Sequence, residues 1–217
     1  MTPKNEIKIV LVDDHKLLRD GLRNIIEKKS NMHIVGEASD GREAIKLASK
    51  LKPDVIVMDV AMPGLNGIEA ATQIVKNEPE IKIIGVSMHS GKQFIQGMFK
   101  AGAFGYLLKD GDADELIIAI STVIENKKYL SKDLNQEFLT ELKKGENPKK
   151  TLLSAREKEV LQLIAEGKSS KEIGEILFLS PKTIDVHRNN IMRKLDLFTI
   201  SELTKYAIQK GLTTLDF

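Results

Sequence analysis

Asp54-Val-Ile-Val-Met-Asp-Val-Ala-Met-Pro-Gly-Leu-Asn-Gly67 carries the pattern that decides the fold. The run Asp54–Met58 is short, apolar and largely β-branched, with no polar alternation, which predicts a strand covered on both faces. Asp59 ends it, Pro63 fixes φ, and Gly67 permits a tight turn. Apolar residues then recur at helical spacing over residues 67–77. Strand, turn and helix in that order make one βα unit.

Working outward, the same unit recurs on both sides. Strands are expected at Ile7–Val12, His33–Glu37, Asp54–Met58, Ile81–Ser87 and Phe104–Leu108, with helices near 15–28, 41–51, 67–77, 91–101 and 113–127. Five such units predict a doubly wound α/β domain, a parallel five-stranded sheet with right-handed helical crossovers. Residues 1–127 are assigned to this domain. Residues 128–150, rich in Lys, Glu and Asn around Gly145 and Pro148, are expected to form a linker that is in part helical.

Residues 151–217 read differently. Ser154-x-x-Glu157, Ser169-x-x-Glu172 and Thr199-x-x-Glu202 match capping boxes, and Ser180-Pro181 sets an N-cap before a proline at the first helical position. Gly167 and Gly211 stand where two of the helices should end. Val160, Leu161, Ile164, Ile173, Ile176, Leu177, Ile184, Ile191, Leu195 and Leu203 supply a core stripe. The expectation is a second, all-α domain of four short helices.

Composition narrows the function classes. The formal net charge is +2, with 12 Lys/Arg against 9 Asp/Glu in residues 148–217 and 21 against 22 in residues 1–147. That mild basic excess permits nucleic-acid binding without requiring it. The absence of cysteine excludes disulfides and thiolate metal sites. No signal core and no apolar run of roughly 18–20 residues is found, so a cytoplasmic protein is expected, without a membrane partner.

In open α/β sheets, ligands bind beyond the carboxyl ends of the strands. Asp13 and Asp14 follow the first strand, Asp59 the third, Ser87 ends the fourth, and Lys109 follows the fifth. Taken singly, each has an ordinary role: helix N-cap for an aspartate, turn residue for Ser87, solvated charge for Lys109. Together at one sheet edge they form a set. Three converging carboxylates repel one another, a divalent cation such as Mg2+ offsets that, and a carboxylate can act as nucleophile towards phosphorus.

Val12-Asp13-Asp14-His15, Met58-Asp-Val-Ala-Met-Pro-Gly-Leu-Asn-Gly67, Ser87 and Gly105-Tyr-Leu-Leu-Lys-Asp110 resemble the receiver domains of response regulators, over residues 6–127. The resemblance implies that Asp59 accepts phosphate from a histidine kinase. It implies Mg2+ held by Asp14, Asp59 and the Ala61 carbonyl, and by Asp13 through water. Ser87 and Lys109 would contact the phosphoryl group, and Tyr106 matches an aromatic switch position. Such a domain catalyses only its own phosphorylation and dephosphorylation.

On a helical wheel, Ile184, Ile191 and Leu195 share one face of residues 181–195, while Lys182, Val186, Asn189 and Arg193 lie opposite. Guanidinium, amide and small apolar groups suit a recognition helix in the major groove, although an ordinary bundle helix with a solvated face gives the same wheel. Residues 153–161, 165–173 and 179–195 resemble the LuxR/FixJ-type DNA-binding domain, over residues 151–210. With the receiver, this resembles the NarL/FixJ subfamily of response regulators. The resemblance implies DNA contacts from Lys182, Thr183, Val186, His187, Arg188, Asn189 and Arg193. Asp185 departs from it, standing where a cation is common; it could accept from a cytosine amino group or pair with Lys182 or Arg188.

The implied function is a transcription regulator that forms a homodimer on phosphorylation and binds double-stranded DNA at paired half-sites. The 199–210 helix is the candidate dimer contact in the DNA-binding part. The resting receiver either covers the recognition helix or leaves the chain monomeric. An alternative, a phosphohydrolase of the haloacid-dehalogenase type, needs a second aspartate two residues after the nucleophile, and that place is Ala61. A phosphorylation-independent regulator conflicts with the intact acidic set, and a protein-docking module conflicts with the polar outer face of residues 181–195.

Overall fold

The computed structural model describes residues 6–134 and 153–214, which fall into two compact units taken in turn below. In the first, strands and helices alternate as β1 (Ile7–Val12), α1 (Lys16–Ile26), β2 (Met32–Ala38), α2 (Gly41–Leu51), β3 (Val55–Asp59), α3 (Gly67–Asn77), β4 (Lys82–Ser87), α4 (Lys92–Lys100), β5 (Gly105–Leu108), α5 (Ala113–Ile124) and β6 (Tyr129–Leu130). The sheet order is β2-β1-β3-β4-β5-β6 and every pairing is parallel. The order reverses between β1 and β3, so their carboxyl ends open the crevice in which such sheets bind ligands.

Both faces of the sheet are covered, as the unalternating strands require. On one, Ile9, Leu11, Val57, Ile84 and Leu107 pack with Leu116, Ala119, Ile120 and Val123 of α5. The residues between them, Val10, Ile56, Met58 and Ile83, are fully buried in turn, as side chains pointing to the opposite face must be. Asp40, Asn66 and Asp112 cap α2, α3 and α5 by accepting from backbone amides in the first turn.

β6 lies in the stretch expected to be linker. Asn126, at φ 60, turns the chain at the end of α5, a conformation that asparagine tolerates better than most residues. Tyr129 and Ser131 amides then donate to the carbonyls of Phe104 and Tyr106, at 2.8 and 2.9 Å. Two residues are too few to show a strand periodicity, so the sheet gains a sixth strand that local pattern does not reveal. The remainder of the expected linker, from residue 135, lies outside the described residues.

The second unit is built from α6 (Ala155–Ala165), α7 (Ser170–Leu177), α8 (Pro181–Leu195) and α9 (Ile200–Gln209). All three capping boxes form, and Ser180 caps α8 with Pro181 at its first position. Gly167 ends α6 at φ 79, a backbone region that costs residues with a Cβ. Val160, Leu161, Ile164, Ile173, Leu177, Ile184, Ile191 and Leu203 form its core, with Ile176 and Leu195 packed against it. Among the described residues no helix is long and apolar enough to cross a membrane.

Candidate functional site

The acidic set is brought together by the ends of β1, β3 and β5. One ligand atom each from Asp13, Asp14, His15 and Asp59 lie within 4.8 Å of one another. Lys109, just past β5, places its Nζ 2.7 Å from Asp59 Oδ2 and 2.8 Å from Asp13 Oδ2. A single buried ammonium therefore bridges two of the three carboxylates. The other oxygen of Asp59 accepts from the Ala61 amide at 3.1 Å.

Local sequence explains how Asp59 is presented. The chain turns back after β3, the Gly67 amide donates to the Val60 carbonyl, and a Cβ on Gly67 would lie 2.1 Å from the Asp59 carbonyl oxygen. Only glycine allows that approach, so the loop closes directly beneath the aspartate.

Electrostatically the pocket holds more negative charge than it neutralises. Burial pushes the Asp59 carboxyl up to about 6, Lys109 pulls it down, and Asp13 pushes it up again. Burial also lowers the Lys109 ammonium, but Asp59 and Asp13 outweigh this and hold it above its ordinary value. Asp14 Oδ1 is buried without a hydrogen-bond donor among the described residues, though His15 Nδ1 comes within 3.0 Å out of line. An orphaned carboxylate oxygen beside two others is a hard, anionic donor set suited to a divalent cation. His15, which directly follows the two aspartates in the sequence, joins their cluster although no role is expected of it from the sequence.

Ser87 is fully buried at the end of β4, and its Oγ accepts from the His89 amide at 3.1 Å. Its neighbour Val86 stands opposite Asp59 in the sheet. Tyr106 is also fully buried, with its hydroxyl donating to the His89 carbonyl at 2.6 Å. Burial pushes that phenol up to about 12, against a pull from the adjoining Ser87 hydroxyl. Tyr106 thus points inward and touches the segment that follows Ser87.

In the helical unit, α7 and α8 are joined by a turn in which Phe178 takes φ 55 and Ser180 caps the second helix. Lys182, Val186, Asn189 and Arg193 are exposed on the outer face of α8, opposite the buried Ile184 and Ile191. Thr183, His187 and Arg188 are half-buried at its flanks. Thr183 is engaged with the cap, its Oγ1 lying 2.8 Å from Ser180 Oγ, and Arg193 folds back to Asn190 at 2.6 Å. Asp185 pairs with neither Lys182 nor Arg188: its Oδ1 accepts from Ser170 of α7 at 2.6 Å. The wheel places Asp185 on α8 but cannot show which side chain of the preceding helix lies beneath it.

Known proteins place both units. Residues 9–121 match the family model of the response regulator receiver domain, and residues 151–207 that of the bacterial regulatory proteins of the luxR family. The chain is 38% identical to the oxygen regulatory protein NreC of Staphylococcus epidermidis, across 95% of this chain and 99% of that one. Among solved structures, the RcsB response regulator of Salmonella typhimurium aligns over 95% of this chain and 98% of its own, with 26% identity and a TM-score of 0.63. An RcsB–DNA complex aligns over 95% and 99%, with 28% identity and a TM-score of 0.57. The chain belongs to the NarL/FixJ subfamily of response regulators, transcription regulators of two-component signalling that join a receiver to a luxR-type DNA-binding domain.

Proposed function

We propose that Asp59 is the phosphoacceptor through which a histidine kinase controls DNA binding by α8. The observation that carries this reading is the convergence of Asp13, Asp14, Asp59 and Lys109, with one carboxylate oxygen left without a donor. Asp59 attacks phosphorus on the kinase's phosphohistidine; a P–O bond to the carboxylate forms as the P–N bond breaks, and the imidazole leaves. Lys109 and Ser87 meet the new phosphoryl oxygens, and water later hydrolyses the acyl phosphate. Asp13, Asp14, Asp59 and the Ala61 carbonyl would hold Mg2+, which when bound offsets charge on the pocket and the phosphoryl group.

Moving Lys109 towards a phosphoryl group loosens its hold on Asp13, and engaging Ser87 removes an acceptor from the His89 amide. That is the bias through which a charge at one sheet edge selects a second conformation, with Tyr106 as its packing element. We assign the receiver to residue 1 through β6, rather than to 1–127, the stretch from there to residue 150 to a linker and 151–217 to the DNA-binding domain, in a cytoplasmic protein that dimerises when phosphorylated. α9 supplies the dimer contact in the DNA-binding domain. Lys182, Thr183, Val186, His187, Arg188, Asn189 and Arg193 contact DNA, each half-site reading one major groove about one helical turn from the next. The RcsB–DNA complex, a solved relative on DNA, supports this part of the reading.

The test is a gel shift on bound promoter fragments with and without a small-molecule phosphodonor. Wild type is expected to gain acid-labile phosphate and at least tenfold in affinity, and Asp59→Ala neither. Phosphate persisting on Asp59→Ala removes the nucleophile assignment. Unchanged affinity in confirmed phosphoprotein removes the coupling.

A further inference from the structure

A cation close to three carboxylates ordinarily pairs with one of them, and in doing so competes with any metal. Arg19 is such a cation, on the first turn of α1, where helical side chains lean back towards the N-terminus and hence over the β1–α1 loop. Its side chain is 13% exposed. Nη1 donates to the backbone carbonyl of Asp13, and Nε reaches Glu37 Oε2 at 3.4 Å. Neither bond uses a pocket carboxylate. Glu37, near the end of β2 and in register with Leu11, is also gripped by Arg23, whose Nη2 and Nε lie 2.6 and 2.9 Å from Glu37 Oε1.

The rest of Asp13 is likewise committed. Its amide donates to the Ala38 carbonyl, Oδ1 accepts from the His15 amide, and Oδ2 faces Lys109. With the carbonyl taken by Arg19, every polar atom of Asp13 has a partner, and the peptide joining Asp13 to Asp14 is held at its carbonyl. That peptide sets the direction in which Asp14 leaves the backbone, and Asp14 carries the orphaned oxygen.

We propose that Arg19 is a positioning residue for the acidic pocket: held off the carboxylates by Glu37, it locks the Asp13 carbonyl and thereby aims Asp14 at the bound cation. This rests on the reading of the pocket as a Mg2+ site. Arg19 orients the metal ligands from outside the first coordination sphere and neutralises none of them, and partners of this kind typically matter by about 10–100-fold in metal affinity.

Titration of the full-length chain with Mg2+ alone, followed through the backbone amides of residues 12–15 by NMR, tests this. Arg19→Gln is expected to weaken Mg2+ binding about tenfold. Arg23→Gln, which strips Glu37 of its nearer partner but leaves the Asp13 carbonyl bonded, is expected to stay within about twofold. Arg19→Lys, whose ammonium can still donate to that carbonyl, should recover part of the loss, and it serves in place of Arg19→Gln should the latter not fold. Equal losses in the Arg19 and Arg23 variants mark a general structural role and overturn the proposal, as does Arg19→Gln at wild-type affinity. A wild type that binds no Mg2+ overturns the pocket reading itself.

Discussion

Two buried acids, one in each unit, show what this protein does with charge. Asp59 is 3% exposed and Glu157 is 5% exposed, and burial pushes both carboxyls up, yet the net shifts are opposite. At Glu157, burial pushes the carboxyl up, but Lys194 and the amide and hydroxyl of Ser154 outweigh it and hold the group below its ordinary value of 4.5. At Asp59 the burial penalty prevails, because the one bridging ammonium is shared with Asp13, whose own charge opposes ionisation. Glu157 is a carboxylate satisfied for stability, capping α6 and tying it to α8. Asp59 is kept short of partners, as a group must be if a phosphoryl group or cation is to gain by binding it.

The sharpest way to break this comparison is to neutralise each acid without changing its shape. Glu157→Gln should lower the stability of the helical unit by about 1–2 kcal/mol, because a charge-assisted bond to Lys194 is lost and the capping box weakened. Asp59→Asn should instead stabilise the receiver by about 1 kcal/mol in Mg2+-free buffer while abolishing phosphorylation, as it relieves a buried repulsion and leaves Lys109 with Asp13. Thermal unfolding read by residue-resolved NMR separates the two units. Loss of stability in both variants means that Asp59 is a structural acid like Glu157, and the contrast disappears.

Acid pH sharpens the same contrast. Glu157 has a lowered folded-state value, so its contribution is present above 4.5 and is lost as pH falls through that lowered value. Asp59 has a raised value, so ionising it costs the folded receiver stability as pH rises from its unfolded value of 3.8 through about 6. On acidification from neutral, the Asp59 term therefore favours the metal-free receiver well before the Glu157 term weakens the helical unit. Stability profiles of Asp59→Asn and Glu157→Gln against wild type isolate each term. A wild-type receiver whose stability has the same slope as Asp59→Asn between pH 4 and 6 contradicts the raised value.

What local sequence could reveal follows the same division. Strand-end aspartates, capping boxes and the buried stripe of α8 are properties of chain position and period, so Asp13, Asp59, Ser154 and Ile184 stand where their spacing places them. Contacts across many residues carry no local period. Nothing in the sequence near Glu157 indicates Lys194, and nothing near Asp13 indicates that Arg19 bonds its carbonyl. The same holds for Glu115, a buried acid that accepts from Tyr129, Ser131 and Lys132 and so anchors the short strand β6. Asp185 is the clearest case: its sequence neighbours offered two cations, and the fold supplied a hydroxyl from another helix.

The smallest expected effect concerns backbone strain in the helical unit. Phe178 sits between α7 and α8 at φ 55 and is 94% exposed, so it adopts the left-handed region while burying little of its side chain. A non-glycine residue there costs about 1–2 kcal/mol, part of which glycine returns through its greater freedom in the unfolded chain. Phe178→Gly should thus raise the stability of the helical unit by about 0.5–1 kcal/mol, measured by thermal unfolding. DNA affinity measured on the same variant decides why phenylalanine stands there. Unchanged affinity leaves the strain without a role in DNA binding, whereas weakened affinity in a more stable protein places the exposed ring among the groups that meet DNA. A loss of stability instead shows that the ring contributes packing that its exposure conceals.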